Sequence, residues 1–130
     1  MEVLRAPLRA AGRAALAVMF VTGGADALLN PEPRAPRAAE LGVPLEPQLA
    51  VQVNGATMLV AGLALALGVR PRLAAAALAG TLVPTTLAGH PYWRLTDPAA
   101  RRQQRTHFFK NLGLFGGALL VVAERPPRRR

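Results

Sequence analysis

His107, Lys110 and Asn111 stand at i, i+3 and i+4, a spacing that places three side chains on one face of a helix. An imidazole, an ammonium and a carboxamide on one face can donate hydrogen bonds to carbonyl or phenolic oxygens. Thr86 and His90 lie one turn apart, as do Thr22 and Asp26, and Gln52, Asn54 and Thr85 complete the set. Asp26 is the acid that suits Lys110, since an ammonium buried among apolar helices needs an opposite charge. An Asp26–Lys110 pair is therefore expected. His90 and His107 also raise haem or metal ligation, because neutral imidazole serves both. Without a clustered ligand set they read better as interfacial or capping residues, and no metal site is expected. Nothing resembles a nucleophile–base pair, a phosphate loop or a carboxylate pair, so an autonomous enzyme is not expected.

The elements that must position these residues are legible in the hydropathy. A helix needs about 17 to 25 mostly apolar residues to cross a bilayer. Four windows meet this: residues 10–29, which contain Arg13 and Asp26; 49–68, without charge; 73–90, without charge if His90 is neutral; and 106–123, with Lys110 alone. The expectation is an all-α, integral membrane four-helix bundle forming one domain over residues 1–130. Residues 69–72, Val-Arg-Pro-Arg, must be a tight hairpin. Residues 30–48 hold Pro31, Pro33, Pro36, Pro44 and Pro47 and should be extended or irregular. Asp97 and Pro98 suit the N-cap and first turn of a brief helix before the fourth span. Gly113 and Gly117 form a GxxxG, Ala64 and Gly68 a small-xxx-small pair, and Pro84 should bend the third span beside Thr85 and Thr86.

Placed on these spans, the polar residues share a depth. Asp26, Gln52, Asn54, Thr85, Thr86, His90, His107, Lys110 and Asn111 each fall within roughly 8 Å of the same end of the bundle, at about 1.5 Å per residue. The opposite half is Ala, Leu, Val and Gly. Two readings stay open. The layer can be a structural network of interhelical hydrogen bonds, or it can also line a small-molecule site in which a quinone, the one cofactor it would suit, or a lipid is bound.

Charge gives direction. The chain is 52% hydrophobic and 18% charged, with a net charge of +9. The arginines lie between the spans and at both ends, not on one groove-reading face, and no aromatic ladder accompanies them. Nucleic acid is not an expected partner. Membrane lipid is, together with a protein partner in the membrane or a second copy of the chain. Nine arginines (5, 9, 13, 70, 72, 125, 128, 129, 130) fall on one side and six (34, 37, 94, 101, 102, 105) on the other. Arginine-rich flanks stay inside, so both termini are expected to be cytoplasmic. The N-terminus also has features of a signal peptide, ending in Ala25-Asp26-Ala27, but an acid within a cleavage motif argues against cutting there. Cysteine is absent, which excludes disulfide and thiol redox chemistry in this chain.

Four segments resemble the DoxX family of small bacterial membrane proteins. They are Phe20-Val21-Thr22-Gly23-Gly24, Val51-Gln52-Val53-Asn54-Gly55-Ala56, Pro84-Thr85-Thr86-Leu87-Ala88-Gly89-His90 and His107-Phe108-Phe109-Lys110-Asn111-Leu112-Gly113. The resemblance implies four membrane helices in a bacterial inner membrane. It also implies an accessory or scaffold subunit of a redox or stress-response assembly, since such proteins are linked to quinol oxidase and thiosulfate–quinone systems. Distant relatives act as receptors or chaperones for other membrane proteins. Any redox role would have to act through a partner or a bound quinone, and the family supplies no catalytic residues to carry over.

Overall fold

The computed structural model describes residues 2–124; Arg125, Arg128, Arg129 and Arg130, counted above for orientation, lie outside them. Helix α1 spans Glu2–Leu29, α2 Ala35–Ala39, α3 Pro47–Leu67, α4 Pro71–Gly89 and α5 Pro98–Ala123, with a 3₁₀ turn at Tyr92–Arg94. No strand occurs among the described residues, and α1, α3, α4 and α5 are each long and apolar enough to cross a membrane. The fold is an all-α four-helix membrane bundle.

Local chemistry sets the helix ends. Pro47, Pro71 and Pro98 each stand in the first turn, where no backbone N–H is needed. Glu46 accepts from the N–H groups of Gln48 and Leu49 at 3.1 and 2.8 Å, and Asp97 accepts from Ala100 at 2.8 Å. At the hairpin, Gly68 takes a left-handed φ of 72° and the Val69 N–H reaches back to Ala64 at 2.8 Å. That motif closes α3 within two residues. Gly68 thus serves as a cap rather than as half of the expected packing pair.

Two expectations are corrected. The helix after Asp97 is not separate and brief: it runs unbroken into the fourth span, carrying Arg101, Arg102 and Arg105 on its first turns. The proline-rich connection is not wholly irregular either, since α2 forms within it with Pro36 in its first turn. Helix α4 continues through Pro84 to Gly89.

Side-chain contacts give the helices an up-and-down order. Gln52 Nε2 donates to the Leu28 carbonyl at 3.3 Å, joining the end of α1 to the start of α3. Arg72 Nε donates to the Val122 carbonyl at 2.8 Å, joining the start of α4 to the end of α5. One end of the bundle therefore holds the 68–72 hairpin, the other the loops 30–46 and 90–97. We call these the hairpin end and the loop end.

Association of helices in lipid depends on close packing rather than on hydrophobic burial. The core is correspondingly small: Ala17, Ala61, Ala74, Ala75, Ala79 and Ala118 surround Phe20, Leu65 and Leu78, while Val60, Leu67 and Leu120 point outward. The tightest contact joins α1 and α3. A Cβ on Gly24 would lie 2.7 Å from the Gly55 carbonyl oxygen, one on Gly55 would lie 2.8 Å from that of Gly24, and one on Gly62 would meet Val21 at 2.9 Å. The expected Gly113/Gly117 motif does not do this work within the chain. Gly117 packs on Leu16, whereas a Cβ on Gly113 would meet nothing.

The last carbonyls of a helix lack intrahelical partners, and in a membrane they are costly to leave bare. Arginines meet them here. Arg34 donates to the Asn30 carbonyl beyond α1 at 3.2 Å, Arg37 to Gly89 of α4 at 2.5 Å, and Arg72 to Val122 of α5. Arg13 lies over Gly68 at the end of α3, where the helix dipole favours a cation.

Candidate functional site

At the loop end the helices spread around a cavity of about 550 Å³. Phe20, Gly23 and Ala27 of α1, Asn54 and Met58 of α3, Leu82 and Thr85 of α4, and Lys110 and Leu114 of α5 form its wall. Residues of the 30–46 loop, among them Arg34, Arg37, Leu41 and Val43, cover it. Phe20, Met58 and Leu82 lie nine, eleven and seven residues from the loop-end limits of their helices, a depth of roughly 10–17 Å at about 1.5 Å per residue. The cavity thus reaches about half-way through the bundle.

Hydrogen bonds position its polar side chains. Asn54 Nδ2 donates to Thr85 Oγ1 at 3.1 Å, and that hydroxyl donates to the Thr81 carbonyl at 2.7 Å. This chain of bonds ties α3 to α4. Asn111, only 4% exposed, donates to Thr86 Oγ1 at 3.1 Å and ties α5 to the same turn. His90 closes α4: its Nδ1 lies 2.7 Å from Gln104 Oε1, and its ring stacks on His107 with centroids 5.2 Å apart. Beside them Tyr92 and Trp93 of the 3₁₀ turn pack edge-to-face on Phe108 at 5.4 and 5.8 Å, the arrangement of an aromatic anchor at a membrane surface. Arg94 then reaches Glu40 at 3.4 Å, linking this turn to the covering loop.

Of the nine residues singled out from the sequence, Asn54, Thr85, His90, Lys110 and Asn111 line the cavity. Thr86 and His107 stand one contact behind, holding Asn111 and His90. Gln52 and Asp26 do not reach it. Gln52 is spent on the α1 carbonyl at Leu28. Asp26 is the principal correction: it accepts from Asn30 at 3.0 Å and forms an ion pair with Arg34, not with Lys110. Its turn of α1 faces the covering loop, so the nearest cation comes from that loop. Thr22 turns onto its own helix, donating to Val18. Lys110 is exposed and makes no hydrogen bond or ion pair among the described residues.

The sequence reading missed the loop. Arg34 and Arg37, which in the sequence report only orientation, both line the cavity. Asn30, four residues beyond Asp26, signals a local partner for that acid, whereas Arg34 lies past the end of α1. Gln104 was likewise overlooked, although it lies three residues before His107 on the same helix.

The sequence profile of the DoxX family matches residues 8–91. The chain belongs to the DoxX family. The match takes in α1, α3 and α4 with Asn54, Thr85 and His90, and stops short of α5, so Lys110 and Asn111 lie beyond it. Searches of curated proteins and of solved structures returned no match. As a DoxX protein it is a small multi-pass membrane protein, and its cavity offers hydrogen-bond donors above an apolar shaft.

Proposed function

We propose that this DoxX-family protein binds a small amphiphile, a quinone or a lipid, in the loop-end cavity. One observation carries the reading: a half-span-deep space of about 550 Å³ joins an apolar shaft to a ring of polar side chains. Small-molecule sites commonly enclose about 300–1,000 Å³, with mostly apolar walls and a few placed polar groups. A head oxygen would accept from Lys110, Asn54 or His90, and an apolar tail would lie against Phe20, Met58 and Leu114. Native mass spectrometry of the protein purified in mild detergent tests this. A persistent small-molecule adduct, lost in Lys110→Ala, is the expected result; a ligand-free spectrum in every preparation contradicts it.

A second reading makes the protein an accessory subunit that docks a partner, or a second copy, in a redox or stress-response assembly. It is favoured by the glycine face of α5, where a Cβ on Gly113 or Gly116 would meet nothing. Small residues that meet nothing within their own chain leave room for close approach by another helix. Affinity capture at native expression should then recover a stable membrane partner that is lost in Gly113→Leu. Repeated recovery of this chain alone counts against it. In either reading we place the protein in the bacterial cytoplasmic membrane with both termini in the cytoplasm, on the strength of the arginine bias.

A further inference from the structure

The cavity wall is charged with one sign. Its ionisable residues are Arg34, Arg37, His90 and Lys110, and no Asp or Glu is among the lining residues. The three cations are not equivalent. Arg34 is neutralised, with one arm on the Asp26 carboxylate and the other on the Asn30 carbonyl. Arg37 has only a carbonyl, that of Gly89, against Nη1. A guanidinium carries five donor hydrogens, so most of its fork is unassigned, and its charge has no carboxylate partner among the described residues. Lys110 has neither hydrogen bond nor ion pair among them.

Each of these two cations lies near His90. Arg37 is bonded to the residue just before His90, and Lys110 lies one turn beyond His107, whose ring stacks on His90 at 5.2 Å. Both therefore belong to the rim around His90, at the top of the apolar shaft. Two cations at the mouth of an apolar space, with no carboxylate beside them among the described residues, give that mouth a positive field that favours an anion. A neutral quinone head would accept their hydrogen bonds but leave both charges standing. An oxyanion would do both, through charge-assisted bonds about twice as strong as neutral ones. A free inorganic anion would in turn leave the shaft below unfilled.

Resting on the amphiphile reading above, we infer that the head group held in this cavity is anionic: a carboxylate or phosphate monoester on a long apolar chain, seated between Arg37 and Lys110. Arg37 supplies the planar fork that matches an oxyanion, and Lys110 a mobile point charge that can follow it. Asn54 and His90 then contact the head from the α3 and α4 sides, while the chain descends past Met58 and Leu82.

The full chain, purified in a neutral maltoside detergent, would be titrated with hexadecanoate, hexadecyl phosphate, hexadecanol, decyl-ubiquinone and inorganic phosphate, with bound mass and melting temperature as readouts. Both anionic chains should bind at least about tenfold more tightly than hexadecanol, and inorganic phosphate should not bind. Lys110→Gln should weaken hexadecanoate by about tenfold, Lys110→Arg should restore it, and hexadecanol should be indifferent to both. Arg37 also closes α4, so Arg37→Gln is read only beside Arg37→Lys, which keeps the charge. Arg101→Gln, an exposed arginine outside the cavity, should change nothing. Equal affinity for hexadecanol and hexadecanoate, or preference for the quinone, overturns the anionic assignment and leaves the amphiphile reading intact. Binding of inorganic phosphate alone overturns the chain-bearing ligand. Failure of every chain-bearing probe overturns both readings.

Discussion

At the scale of single residues, the polar layer is a set of local commitments rather than one connected network. Asn111 to Thr86 and Asn54 to Thr85 are interhelical bonds, and such bonds in membrane proteins contribute about 0.6–2 kcal/mol each. Asn111→Ala should therefore lower stability by about that amount, measured as unfolding in mixed micelles, without changing helix content. Asp26 and Lys110 belong to different commitments. A double-mutant cycle between Asp26→Ala and Lys110→Ala should be additive, whereas Asp26→Ala and Arg34→Ala should couple. Coupling between Asp26 and Lys110 would contradict the geometry. The identity and depth of these residues were legible in the sequence, because spans of about 20 residues assign depth directly. Partner choice was not. Depth carries no angular information, and Arg34 lies past the last helical turn, in a segment whose path sequence periodicity does not describe.

At the scale of elements, the legible part was the span itself. The windows at 49–68 and 73–90 match α3 and α4 to within two residues, since Gly68 and the flanking prolines mark their limits chemically. The first and fourth helices overrun their windows at the N-terminal side, α1 from Glu2 and α5 from Pro98. Hydropathy detects where a helix is apolar, not where it stops being helical, and α5 has its true start at the Asp97 cap. Packing was harder to read. GxxxG spacing pointed to Gly113 and Gly117, but the contact that matters joins Gly24 to Gly55 and Gly62 to Val21. Small residues abound here, and spacing alone does not say which meet a neighbour. Gly55→Ala should cost about 1–3 kcal/mol through overpacking against the Gly24 carbonyl. Gly113→Ala should be neutral, or stabilising by up to about 1 kcal/mol from helix propensity. Thermal melts of the two variants in one detergent check the contrast, and equal losses would refute the assigned interface.

At the scale of the whole molecule, an even number of spans fixes the two ends on one side. Reporter fusions after residue 130 and within residues 31–48 should report opposite sides of the membrane; the same side for both contradicts the four-span topology. The arginines do more than set that direction. Arg34, Arg37 and Arg72 satisfy helix-end carbonyls, and Arg37 also brings its charge to the cavity. The cavity, its covering loop and two cations with no carboxylate partner among the described residues lie at one end of the bundle, which is why the binding site is proposed there. Because the chain has no cysteine, a single reporter thiol can be placed without competition. The most direct test puts one at Leu114→Cys, inside the cavity, and another at Leu120→Cys on the outward face, 73% exposed. Each is labelled with N-dodecylmaleimide in detergent, with and without saturating hexadecanoate. Hexadecanoate should slow labelling at residue 114 several-fold and leave residue 120 unchanged. Equal rates at residue 114 with and without hexadecanoate would contradict an amphiphile-binding cavity.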